Sequence, residues 1–379
     1  MPDTIIIGGG IVGTSAAYNL ARSGADVLLI DRHDAGRATD AGAGILSFGT
    51  LGLGGGRVWF NFATQCGDYY RALIEQLKAE QEGDTGYAVV GELIVAVDDD
   101  EITAFETQRR LISSQQETYG QPSADDLHAV SRAEAHEMFP ALADVKRALL
   151  LRTAARVDGR LLTAAMLRVA EANGLATRNA SVERLVIEKG AVVGVVIAGE
   201  MISAKHVIIA GGAWSQIFSE QLGVNIPVYP LRGQIIHLSL PGTNTSQWPM
   251  VHAFHGHYLV PWHDSRVAVG ATREANAGFQ PHMTAAGVRE VLGEALRVAP
   301  GLTDAQIKEM RVGLRPASKD GLPVIGEVPS VANVFIATAF AAIGLQLGPY
   351  SGKLAADWAL GEAASVDLST FSVARFENQ

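Results

Sequence analysis

The chain has a single cysteine, Cys66, in 379 residues. That excludes an internal disulfide and a thiolate metal cluster, and it suits a reducing compartment. Charge is also scarce: 18% of residues are charged, below the ~25% of an average soluble protein. The balance is acidic, with 40 Asp and Glu against 30 Lys and Arg, a net charge of −10. Without a basic block the chain is a poor ligand for nucleic acid or an anionic membrane surface. No basic region precedes the first apolar run, so no secretory leader is expected and a cytoplasmic location is. Val328 to Gly352 carries no charge, but Pro329, Gly344, Gly348, Pro349 and Gly352 interrupt it. A membrane span wants ~20 mostly apolar residues, so a buried strand, a turn and a helix are expected there instead.

Hydrophobic residues make up 48% of the chain, enough for a large core and too many for disorder. Glycine is in excess: there are 41, where ~7% usage would give roughly 27. Seven of them fall within residues 42–56, interleaved with Ile45, Leu46, Phe48, Leu51 and Leu53. That stretch is too apolar for a flexible linker, so it reads as a loop held against something buried.

Residues 4–7 form a short apolar run, expected as a buried parallel strand. Gly8-Gly9-Gly10-Ile11-Val12-Gly13 follows, then a helical pattern stopped by Gly24, then a second strand at 26–30 ending at Asp31. Helices are expected over 57–82, 100–119, 131–138, 158–173, 284–298 and 348–361. Strands are expected at 87–97, 182–188, 191–199, 206–210, 307–315 and 334–338, and residues 227–271 read mostly as β. No linker is evident, so the domains are expected to interleave.

The first βαβ unit carries chemistry. Gly8 permits the tight turn, Gly10 lets backbone approach a pyrophosphate, and Gly13 lets helix pack on strand. The helix N-terminus offers free N–H groups to phosphate. Asp31 lies where an acid accepts hydrogen bonds from an adenosine ribose, which argues against a 2′-phosphate. NAD and FAD share this fingerprint. His252, His255 and His257 form a cluster with no HExxH helix or carboxylate ligand, so no metal is expected. Ser47, Cys66 and Ser215 have no base at a recognisable spacing.

Seven further stretches decide between the cofactors. They are Ala38–Leu46, Val207–Ser215, Pro230–Gln234, and Tyr258–Pro261 with Val269–Thr272; then come Gly313–Pro316, Asp320–Gly326 and Gly344–Gly352. Taken in order with the N-terminal fingerprint, they resemble the D-amino acid oxidase and glycine oxidase superfamily over nearly the whole chain. The resemblance implies an α/β fold: a Rossmann-like FAD-binding domain with an inserted α+β substrate domain on a mostly antiparallel sheet. The expected FAD domain is 1–84, 147–225 and 318–379; the expected substrate domain is 85–146 and 226–317.

The resemblance also implies noncovalent FAD, since Asp40-Ala41-Gly42 has no histidine and Cys66 is far from the C-terminal site. It assigns to the cofactor Gly8, Gly10, Ile11, Val12, Gly13, Asp31, Arg32, Thr39, Ala43, Gly44, Ile45, Gly211, Gly212, Trp214, Arg315, Gly344, Leu345, Gln346 and Leu347. Arg315, in Gly-Leu-Arg-Pro, is expected to clamp a substrate carboxylate with its planar fork. Tyr258 is expected over the flavin, touching substrate. Arg311 is expected in a structural role, and Arg232 either faces the cavity or has a structural role at the start of the sheet. The resemblance implies oxidation of the C–N bond of a small amino acid or related carboxylated amine: hydride passes to flavin N5, and the imine is hydrolysed to an oxo acid. Ala339–Gly344 lacks the polar residues of glycine oxidases, which points to a larger or greasier substrate.

Two other activities remain open: an FAD-dependent 2-hydroxy acid dehydrogenase using His255 or His257 as base, and the flavin subunit of a heteromeric amine or opine dehydrogenase. The acceptor, oxygen or a quinone or other carrier, and the choice between homo-oligomer and heteromeric complex stay open. Eighteen of the 41 glycines lie where the resemblance brings backbone close to one large cofactor.

Overall fold

A computed structural model describes residues 1–376. The first sheet has six strands in the order Val324–Glu327, Val334–Thr338, His206–Ile209, Thr4–Ile7, Val27–Asp31, Ala176–Asn179. All neighbours are parallel except the edge pair Val324–Glu327 with Val334–Thr338. Thr4–Ile7 is apolar at three successive positions because both faces are covered. Ile6 packs against helices Ile11–Arg22, Gly159–Ala172 and Gly344–Ala359, whereas Ile5 and Ile7 pack towards the antiparallel three-stranded sheet of 184–203. Ile5 and Ile6 are wholly buried; each such side chain contributes roughly 1.5–3 kcal/mol by leaving water.

The second sheet has eight strands in the order Gln306–Ser318, Val228–Ser239, Arg266–Gly270, Tyr258–Trp262, Met250–Ala253, Glu92–Ala96, Arg147–Leu151, Leu127–Ala129. It is antiparallel apart from one pair, Met250–Ala253 with Glu92–Ala96. Helices Arg132–Met138 and Ala285–Val298 cover one face. The other face turns towards the six-stranded sheet and carries the residues discussed below.

Three sequence expectations change. The strand Arg147–Leu151 pairs with Glu92–Ala96 in the eight-stranded sheet, so the sheet boundary falls after residue 151 and not at 146. The stretch 87–97 is two strands: Ala88–Val89 joins a small sheet with Ala155–Arg156, and Glu92–Ala96 begins beyond Gly91, whose φ is +76°. The helix expected from 348 starts at Gly344. Gly-Pro-x-x-Gly reads locally as a turn, but Gly348 and Gly352 sit four apart on one helical face. A Cβ at Gly352 would strike the carbonyl of Val12, and one at Gly348 would lie 2.7 Å from Ile11. Helix Gly344–Ala359 therefore crosses helix Ile11–Arg22 closely, locked by Ser15 Oγ donating to the Pro349 carbonyl at 2.6 Å.

Candidate active site

One cavity runs between the two sheets, with about 1660 Å³ of atom-free space open to solvent. Its lining runs from the Gly8–Gly10 turn through Gly42–Ile45 to Tyr258 and Arg315.

At one end the wall is backbone. Gly8 has φ +106°, a conformation L side chains rarely adopt, and a Cβ there would strike the Ala210 carbonyl. A Cβ on Gly13 would strike the carbonyl of Gly8, so helix and strand meet only because both positions lack one. The N-terminus of helix Ile11–Arg22 has no cap from the Gly10 side chain position; Ile11 N–H instead donates to Thr39 Oγ1 at 3.0 Å. The N-terminus of helix Gly344–Ala359 reaches the same cavity through Gly344 and Leu345. Two positive helix ends thus face one space, a setting for anionic groups. Asp31 Oδ2 is buried and accepts no aligned hydrogen bond, although Arg37 Nη1 forms an ion pair with it at 3.0 Å. A ribose hydroxyl would supply that missing donor. The glycine cradle, the helix ends and this orphaned oxygen fit an adenine dinucleotide.

At the other end the wall is side chains on a glycine floor. Gly313 faces Gly233 across one strand pair, and Gly270 faces Ile235 and Tyr258 across the next two. Opposed residues in a ladder share a face. The Arg315 guanidinium occupies the space a Cβ on Gly233 would need. Tyr258 Oη would lie 3.0 Å from a Cβ on Gly270. The two polar groups therefore lean inward from flanking strands over two bare positions. Arg315 Nη1 donates to the Thr272 carbonyl at 2.9 Å. Burial raises the Tyr258 pKa, and the charges of Arg315 and Arg273 oppose that rise.

Most residues expected at the site line this cavity: Gly8, Gly10, Ile11, Val12, Asp31, Arg32, Thr39, Ala43, Gly44, Ile45, Gly211, Gly212, Trp214, Gly344, Leu345, Tyr258 and Arg315. Gly13, Gln346 and Leu347 do not. Gly13 lies beneath Gly8, Leu347 is wholly buried in the core, and Gln346 Oε1 accepts from Ser47 N–H at 2.9 Å. Of the glycines counted above, Gly348 and Gly352 serve the helix crossing, while Gly54 and Gly56 have open space around them. Arg232 is bound to Glu274 (2.5 Å) and Arg311 to Glu309 (2.7 Å). The three histidines diverge: His252 faces Glu92, His255 lies 3.4 Å from both Asp100 and Glu294, and His257 is 3.7 Å from Glu290. None of them lines the cavity.

Arg37, Thr338 and Arg273 lie outside the quoted stretches yet line the cavity, and Gly233, Gly313 and Phe340 line it from within Pro230–Gln234, Gly313–Pro316 and Ala339–Gly344. Arg37 directly precedes the Ala38–Leu46 stretch, and Arg273 directly follows Val269–Thr272. Adjacency to a quoted motif was the available signal.

The family described as FAD dependent oxidoreductase, DAO, matches residues 3–358. A glycine oxidase of Bacillus licheniformis is 30% identical over 384 residues, covering 99% of this chain and 98% of that one. The structure of iminodiacetate oxidase from Chelativorans sp. BNC1 superposes with TM-score 0.91 at 41% identity, over 97% of this chain and 98% of that one. That of glycine oxidase from Geobacillus kaustophilus gives TM-score 0.88 at 26% identity, over 98% of each chain. Among the described residues no helix is long and apolar enough to cross a membrane. With the cradle, the acid and the flanking sheet in place, the chain belongs to the DAO family of FAD-dependent oxidoreductases, and FAD is its cofactor.

Proposed function

We propose that the chain oxidises the C–N bond of a small amine bearing a carboxylate. The observation that carries this reading is Arg315, a guanidinium without an ion-pair partner among the described residues, laid on Gly233 in the cavity that begins at the Gly8 turn. Such a group takes a carboxylate through two parallel hydrogen bonds. The relatives above are named for oxidation of glycine and of iminodiacetate, both small amines with carboxylates.

The turn Gly8–Val12, Asp31, Thr39, Ala43–Ile45, Gly211–Trp214 and Gly344–Leu345 would hold FAD. Cys66 is wholly buried and burial pushes its thiol pKa well up, so no thiolate is available and the cofactor is held without a covalent bond. Bound FAD supplies the two-electron acceptor that C–N oxidation requires. Arg315 fixes the substrate carboxylate and so orients the α-carbon, which makes the step effectively unimolecular. Tyr258 stays a neutral phenol and offers its hydroxyl to the bound carboxylate. As the α C–H bond breaks and its hydrogen leaves with the electron pair, the substrate nitrogen contributes its lone pair to the new C=N bond and sheds a proton; water then adds and the C–N bond breaks, giving an oxo acid and an amine. The apolar stretch Phe340–Ala342 lines the cavity and excludes bulk water while the C=N bond forms.

The test is anaerobic bleaching of the bound flavin with a panel of amino acids, N-substituted glycines and 2-hydroxy acids. Bleaching by the amines is expected; bleaching by hydroxy acids alone would overturn the reading. Arg315→Ala is expected to raise KM by about 100-fold or more with FAD still bound. An unchanged KM would remove Arg315 from the role.

A further inference from the structure

Arg273 is a second guanidinium on the same wall, and the established cofactor chemistry does not use it. Its position is fixed from both sides. Thr272 Oγ1 donates to Glu274 Oε1 at 2.6 Å and accepts from Gln234 N–H at 3.0 Å. Glu274 exchanges backbone hydrogen bonds with Arg232 (2.9 and 3.1 Å), and the Arg232 guanidinium grips its carboxylate at 2.5 Å. The backbone at residue 273 is thus clamped, while its side chain stays exposed. Arg273 Nη1 donates to the Gly256 carbonyl at 2.5 Å and, like Arg315, makes no ion pair among the described residues.

The two arginines are close. Arg315 donates to the very carbonyl, that of Thr272, that leads into Arg273. Burial and the charge of Arg315 both push the Arg273 pKa down. The wall therefore holds two like charges with no anion between them, in a chain of net charge −10. Nearby carboxylates exist, but Glu274 is committed to Arg232, and Glu290 is within electrostatic range of Arg273 without forming an ion pair. A ligand with one carboxylate satisfies one fork and leaves the other without an anion. A ligand with two carboxylates satisfies both.

We propose that Arg273 is a specificity-determining second clamp, and that the substrate class is an amine carrying two carboxylates. This rests on the amine-oxidising reading above. In the reaction, one carboxylate on Arg315 presents the carbon that loses two electrons to FAD. The second, on Arg273, stays with the nitrogen and leaves as an amino acid once water has broken the C–N bond. One oxo acid and one amino acid result, with the carbon and nitrogen of the broken bond accounted for.

The binding test uses oxydiacetate, a diacid with no oxidisable nitrogen, and methoxyacetate, which differs by lacking one carboxylate. Calorimetry on the FAD-loaded protein is expected to show oxydiacetate binding about 10- to 100-fold tighter. Arg273→Met is expected to erase that ratio by weakening oxydiacetate far more than methoxyacetate, and Arg273→Lys to restore part of it. Equal ratios in wild type and Arg273→Met, or equal weakening of both ligands, would overturn the proposal. The catalytic test compares iminodiacetate with sarcosine, which differ by the same carboxylate. The iminodiacetate KM is expected to rise in Arg273→Met about 10- to 100-fold more than the sarcosine KM does; equal KM changes for the two would overturn the proposal. If the diacid ratio holds but no amine bleaches the flavin, the amine-oxidising reading fails and the diacid site stands.

Discussion

The two ends of the cavity are built in opposite ways. The nucleotide end is backbone: Gly8, Gly9 and Gly10, two helix N-termini, and a single acid, Asp31. The substrate end is side chains, Arg315, Arg273 and Tyr258, on positions where the sheet has none. In the first, glycine is needed because backbone must meet backbone. In the second, glycine is needed because a neighbour's long side chain must lie flat. The same residue type serves rigidity in one place and reach in the other, and substitutions should separate them.

The sharpest break is Gly13→Val. Even one Cβ there strikes the carbonyl of Gly8, which cannot move without reopening the turn. The purified variant is expected to carry little or no flavin, measured as flavin per protein; a stoichiometric flavin content would count against the packing account. Gly233→Ala is the matching change at the substrate end. Its methyl would displace only the mobile end of Arg315, so the fold should tolerate it. Flavin content is expected to stay unchanged while KM rises roughly 10- to 100-fold, the cost of losing one charge-assisted contact. Loss of flavin from this variant would mean the two ends are not separable.

The smallest effect concerns the sheet beneath the substrate end. His237 is 1% exposed, and its Nδ1 lies 2.8 Å from Arg266 Nη1. Burial, with the charges of Arg311 and Arg266, depresses its pKa to about 3. An unfolded chain takes up this proton near pH 6.5 and the folded chain does not. The contribution to stability is therefore intact above pH 6.5 and is lost as pH falls towards 3. His237→Gln is expected to flatten the pH dependence of the urea midpoint below pH 6.5, by less than about 1 kcal/mol at pH 6. Parallel pH curves for the two proteins would show that this imidazole is not the acid-sensitive group.

The nucleotide end was legible because its determinants are contiguous. An apolar run, a glycine turn, a helix face and Asp31 all fall within residues 4–31. Arg315 was legible only through the Gly-Leu-Arg-Pro resemblance. Arg273 was not, because its meaning comes from register: Gly270 must oppose both Ile235 and Tyr258 before residue 273 can reach the cavity. The helix start at Gly344 was missed for a related reason. Gly348 and Gly352 look like breakers until a second helix lies against them. Local pattern reports backbone preference; pairing between distant segments sets what a side chain can reach.

The six-stranded sheet has a consequence for how the molecule is made. Thr4–Ile7 pairs with His206–Ile209 on one side, and that strand pairs with Val334–Thr338 on its other side. A nascent chain carries the complete glycine turn almost at once, but the neighbouring strand comes two hundred residues later. Helix Gly344–Ala359, which brings the second positive end to the cavity, comes later still. Synthesis at ~5–20 residues per second leaves tens of seconds in which the apolar faces of the first βαβ unit have no permanent cover. The cofactor cavity is therefore complete only once the chain has been made through the helix Gly344–Ala359.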